Sequence, residues 1–101
     1  MRLRARIDSN QPEIVKGLRD TGHSVAITSA VGKGFPDIIV GRNGVTLPME
    51  IKDGSLVPSA RKLTKDERRW FDGWIGSAVV VNNLEEAIEA MNKLIRKEGV
   101  T

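Results

Sequence analysis

Asp37 and Glu50 are carboxylates set thirteen residues apart, with Lys52 two residues further on and Asn43-Gly44 between them. Asn-Gly favours a two-residue hairpin turn, because both central residues of a type I′ turn take positive φ. With residues 43 and 44 at the turn, cross-strand partners have numbers adding to 87, which sets Asp37 opposite Glu50. Opposed residues share a face of the sheet, and Lys52, two along from Glu50, shares it too. Two carboxylates at cross-strand distance repel, and a cation between them relieves the repulsion. The expected cation is a divalent metal, which held this way activates water and neutralises anionic oxygens. The chain has no cysteine, so its ligands would be oxygens, the donor type a hard ion takes.

The elements that must position these residues are readable from local signals. Met1 to Ile7 alternates apolar and basic residues, as in a short strand or extended arm. Asn10 and Pro12 open a first helix to about Thr21, with Ile14, Val15 and Leu18 as its stripe, ending before Gly22. Ser24 to Thr28 reads as a strand and Ser29 to Pro36 as a mobile loop, followed by hairpin strands at about 37–42 and 45–52. Pro48 lacks an N–H, so a bulge there is the expected threat to the register. After a polar connection over 53–63, Thr64 and Glu67 form a capping-box signature for a second helix to about Ile75, whose apolar residues Trp70, Phe71 and Trp74 read as core. Ala78 to Val81 reads as a buried strand. Asn83 and Glu86 open a last helix whose stripe is Leu84, Ala87, Ile88, Met91, Leu94 and Ile95.

At 101 residues the chain is expected to form one domain around one modest core. The formal charge of +3 leans toward a polyanionic partner without requiring one. No apolar run approaches the roughly 18 residues of a membrane span, and the Arg-rich start lacks the apolar stretch of a signal peptide. The expectation is a soluble cytoplasmic protein. His23 is the single histidine, so a Ser-His-Asp arrangement has no support. Gly32-Lys33-Gly34 falls short of a nucleotide-binding phosphate loop, and no nucleotide cofactor is expected.

The order of elements, with Pro36-Asp37 entering one strand and Glu50-Ile51-Lys52 on the next, resembles the αβββαβ core of the PD-(D/E)XK nuclease superfamily. The closer resemblance is to its VRR-NUC (virus-type replication-repair nuclease) family. Gly32 to Val40 is similar to that family's glycine-basic-glycine loop leading into the Pro-Asp strand, and Glu50-Ile51-Lys52 to its second motif. Glu13 sits where the family carries an acid that joins the metal site. Leu63 to Glu67 resembles the helix start after the catalytic strand, with Glu67 where a glutamine is usual. The resemblance spans roughly residues 10 to 96 and implies a restriction-endonuclease-like α/β fold with a central mixed sheet flanked by helices.

It also implies Mg²⁺ or Mn²⁺ held by Asp37, Glu50, the Ile51 carbonyl and Glu13, with Asp37, Glu50 and Lys52 as the catalytic set. The expected reaction is hydrolysis of phosphodiester bonds in branched or structured DNA, as in Holliday-junction resolvases acting in replication, repair or recombination, and leaves 5′-phosphate ends. Paired cleavage implies a homodimer, and a phage origin would place it in the host cytoplasm. Lys33, Arg61, Lys62, Lys65, Arg68 and Arg69 are the expected phosphate contacts. Three other readings compete: a non-catalytic nucleic-acid-binding module of the same fold, a sequence-reading nuclease of the superfamily, and a structural protein whose carboxylates merely bind an ion.

Overall fold

The computed structural model describes residues 8–99, so the expected strand or arm over 1–7 lies outside the described residues. Helix α1 spans Gln11–Asp20, with Pro12 in the first turn, where its missing N–H costs no hydrogen bond. Its buried stripe is Gln11, Ile14, Val15 and Leu18. Strand β1 is Ser24–Ile27, and a single 3₁₀ turn over Ser29–Val31 occupies the start of what reads in sequence as loop.

Strands β2, Ile38–Arg42, and β3, Val45–Ile51, form the expected hairpin. Asn43 and Gly44 have φ of 53° and 77°, as a type I′ turn requires. The ladder pairs Arg42 with Val45, Ile39 with Pro48 and Ile38 with Met49, so Pro48 introduces no slip. Hydrogen-bonded and non-hydrogen-bonded pairs alternate away from a two-residue turn, which makes Ile39–Pro48 a non-hydrogen-bonded pair. The Pro48 nitrogen therefore faces away from β2. On its other side β3 pairs with β4, Val79–Val81, only from Met49 onward. No N–H is missed at that position.

The sheet runs β1-β2-β3-β4, with β1, β2 and β3 antiparallel and β4 parallel to β3. This is an α/β fold with an open, mixed, four-stranded sheet flanked by helices. Alternation puts Ile38, Val40, Leu47, Met49 and Ile51 on one face, where they meet Ile14 and Leu18 of α1 and Ala87 and Met91 of α3, Leu84–Glu98. Asn83 caps α3 by accepting a hydrogen bond from the Glu86 amide at 2.8 Å. Leu84, Ile88 and Leu94 of the expected stripe pack against the cluster from its margin.

A parallel β3–β4 pair needs a crossover, and residues 52–78 supply it. It contains a second 3₁₀ turn, Pro58–Arg61, and α2, Lys65–Gly73, two residues shorter than its sequence pattern suggests. No residue from 52 to 80 is buried. Trp70, Phe71 and Trp74 are therefore not core, contrary to the sequence reading, and of the β4 segment only Val81 is fully buried. An amphipathic stripe reports that a face is apolar and carries no information about what covers it. Helix α2 is held instead by its capping box, with Glu67 N–H donating to Thr64 Oγ1 at 3.2 Å and Thr64 N–H to Glu67 Oε1 at 2.9 Å. Phe35, edge-on to Trp70, is a further support.

Candidate functional site

Asp37 precedes β2 by one residue, and Glu50 lies near the end of β3, so the observed register carries on to place them opposite each other. Both project from the sheet face opposite α1 and α3. The Ile51 amide donates to Asp37 Oδ2 at 2.8 Å and fixes that carboxylate across the strand pair. Glu50 is only 2% exposed, and its Oε1 has no hydrogen-bond partner. Lys52 Nζ lies 3.6 Å from Glu50 Oε2 and 2.8 Å from Glu67 Oε1. Glu67 thus closes the cluster from the crossover helix.

Three carboxylates around one ammonium leave an excess of negative charge, which adds to the effect of burial on the group's protonation. Burial first, then hydrogen bonding with Glu67 and the negative charges of Asp37 and Glu67, pushes Glu50 up to about 10. Burial also raises Asp37, against the opposing hydrogen bonds from Ile51 and Glu50. Glu67 is lowered: burial works against that, but hydrogen bonds from Glu50, Lys52 and the Thr64 amide outweigh it. Lys52 is raised, burial being overcome by its hydrogen bond to Glu67 and the charges of Glu67 and Glu50. In the metal-free cluster Glu50 and Asp37 are thus both pushed toward their protonated forms, and Glu67 toward its ionised form.

An acid that keeps a proton for want of a counter-charge exchanges it readily for a cation. Asp37, the unsatisfied Glu50 oxygen and the adjacent Ile51 carbonyl are the oxygen donors available, and Mg²⁺ commonly takes one or two carboxylates and keeps several waters. The donor set fits such an ion. Among the described residues, no three His, Cys, Asp or Glu side chains converge to hold a metal by themselves.

Of the remaining expected residues, Glu13 is exposed and lines a separate shallow cleft with Ser9, Asp53 and Asn82, so the structure does not gather it with Asp37 and Glu50. The further acid whose charge reaches Asp37 and Lys52 is Asp8, just before α1. Lys33 sits exposed at the tip of the Gly32–Gly34 loop with φ of 56°. Gly34 has no room for a side chain: a Cβ would lie 2.2 Å from the Asp66 carbonyl oxygen, so the loop and the start of α2 abut backbone to backbone. Lys62, Lys65, Arg68 and Arg69 are exposed, while Arg61 Nε donates to the Leu56 carbonyl at 2.7 Å.

Two features escape sequence reasoning. Glu67 reads as a cap, yet its Oε1 serves the cap and Lys52 at once. Gln11 is buried on the α1 stripe and donates to Ser29 Oγ at 2.9 Å, bracing the segment that leads to Asp37. A polar residue three before Ile14 on an apolar stripe is the signal that could have found it. No helix among the described residues is long and apolar enough to cross a membrane. No protein-family model, curated protein or solved structure matches the chain.

Proposed function

We propose that this protein is a metal-dependent DNA endonuclease with a restriction-endonuclease-like core of the VRR-NUC type. The observation that carries the reading is the opposition of Asp37 and buried Glu50 with Lys52 on the same face. That opposition, in register at one end of the sheet, resembles the PD-(D/E)XK arrangement. Asp37, Glu50 and the Ile51 carbonyl would hold Mg²⁺ or Mn²⁺, which supplies charge neutralisation and an activated water at the scissile phosphate. Asp37 is oriented by the Ile51 amide, which holds its carboxylate beside Glu50. Lys52, kept charged by Glu67, faces the same space and can hold a phosphate oxygen or a water by its remaining donors. Lys33, Lys62, Lys65, Arg68 and Arg69 lie exposed on the loop and crossover beside it, where a phosphate backbone would run.

Branched or structured DNA is the substrate class that the family resemblance favours, and two copies would supply two active sites for paired cleavage. The test is cleavage of labelled four-way, flap and linear duplex DNA with Mg²⁺ or Mn²⁺. Wild type should cut, and Lys52→Ala and Asp37→Ala should not. Salt-sensitive binding of all three DNAs with no cutting under any metal would establish the non-catalytic binding module instead. Light scattering that finds a monomer at working concentration would remove paired cleavage.

A further inference from the structure

The crossover helix carries an aromatic surface that the carboxylate site does not use. Trp70 and Trp74 stack with ring centroids 4.7 Å apart and planes 19° from parallel, and Phe35 and Phe71 meet Trp70 edge-on at 5.5 and 5.1 Å. Trp74 is 44% exposed although one of its faces is covered by Trp70. The ring is held in place: its Nε1–H donates to the Ser77 carbonyl at 3.1 Å, and a Cβ at Gly76 would come within 3.1 Å of that nitrogen. A rigid, partly exposed aromatic ring is an unusual thing to leave in water.

The surrounding charge identifies what covers it. Lys33, Arg69 and Asp66 line a depression against Trp70, and residues 61–69 hold five basic and two acidic residues. One of those acids, Glu67, is already paired with Lys52. A second copy of the chain placed on this surface about a twofold axis would bring two basic segments together. A polynucleotide strand brings phosphates for the cations and base faces for the rings. Duplex DNA keeps its base faces stacked inside, so the surface suits unpaired nucleotides.

The geometry points to the Trp70–Trp74 stack as a platform for unpaired bases, with Lys33 and Arg69 holding the phosphates alongside. Glu67, Trp70 and Trp74 follow one another along one side of α2, so the platform begins at the residue that holds Lys52 and extends about 10 Å from it along the helix. A strand lying on it leads to the carboxylates. That this strand is a substrate rests on the nuclease reading, from which it follows that the preferred DNA has unpaired nucleotides beside the cut. That the platform binds it does not.

Both tryptophans of the chain are in the stack, so their emission reports on this surface alone. Full-length protein in EDTA is titrated with oligothymidylate and with a blunt duplex of equal length. Oligothymidylate should quench the emission. Trp74→Ala should weaken its binding roughly 5- to 100-fold while changing duplex binding less than about twofold, and Trp74→Phe should recover most of the loss. Unchanged emission, or equal affinity of wild type and Trp74→Ala, overturns the platform. So does a wild-type dimer in light scattering that Trp74→Ala converts to a monomer without altering oligothymidylate affinity, since the occupant is then a second copy. Mg²⁺-dependent cutting without quenching also overturns the platform and leaves the nuclease reading intact. Quenching without cutting supports the platform and removes that reading.

Discussion

Replacing Glu50 with Gln should abolish most of the pH dependence of stability of the metal-free protein on the alkaline side of neutrality. In the fold Glu50 is 2% exposed and pushed up to about 10, chiefly by burial, while in the unfolded chain it returns to its ordinary value of 4.5. Between those values the folded state carries one proton that the unfolded state does not, so stability is fully present below 4.5 and falls as pH rises toward 10. One proton is worth about 1.4 kcal/mol per pH unit, so from pH 6 to pH 9 the wild type should lose about 4 kcal/mol. That is a large share of the roughly 5–15 kcal/mol that holds a domain together. The lowered Glu67 acts in the opposite sense and at lower pH, its contribution being present above 4.5 and lost as pH falls through its folded value. Lys52, raised above 10.5, titrates beyond the window. Glu50→Gln keeps the shape and the hydrogen-bond donor and removes the titration. Urea unfolding followed by far-ultraviolet circular dichroism in EDTA at pH 6 and pH 9 measures the difference. The variant should hold its stability between the two pH values, so that its advantage over the wild type widens by about 4 kcal/mol from the lower to the higher. Parallel profiles would refute a protonated, buried Glu50, and with it the argument that the cluster lacks a cation. Adding Mg²⁺ at 100 times its Kd should return about 2.7 kcal/mol to the wild type at pH 9 and far less to the variant.

Glu67→Gln keeps a residue able to complete the capping box but removes the charge that holds Lys52 above its ordinary value. The titration of Lys52 should move to lower pH with little change in unfolding temperature, as read by nitrogen NMR of the ammonium and by the alkaline limb of any cleavage profile. Gly34→Ala places a Cβ 2.2 Å from the Asp66 carbonyl oxygen at φ of +79°, so it should separate α2 from the loop. The expected cost is about 1–2 kcal/mol from the backbone alone, with a red-shifted tryptophan emission as Phe35 leaves Trp70. Asn43→Val forces a branched residue to φ of 53° and should cost about 1–2 kcal/mol in thermal unfolding, while Asn43→Gly should be close to neutral.

The hairpin was legible because its determinants are local. Asn43-Gly44 chooses the turn, the turn chooses the register, and the register sets Asp37 against Glu50, with Pro48 harmless because its nitrogen faces away from β2. The stripe of α3, its Asn83 cap and the capping box of α2 were legible for the same reason, each being a matter of residues three or four apart. The resemblance that named a nuclease rests on these same short motifs. Glu67 meeting Lys52, Asp8 rather than Glu13 reaching the carboxylates, and the aromatic residues of α2 standing outside the core depend on where separate segments come to rest. Periodicity states which residues of a helix are apolar, and a cap states where it begins; neither states what lies across from it. Sequence alone determined the strand pair that carries the opposed carboxylates, since a two-residue turn leaves the chain no other register. Tertiary structure decided the charge balance around them and the exposed aromatic surface beside them, because both depend on where the crossover from β3 to β4 lays α2 against the Gly32–Phe35 loop.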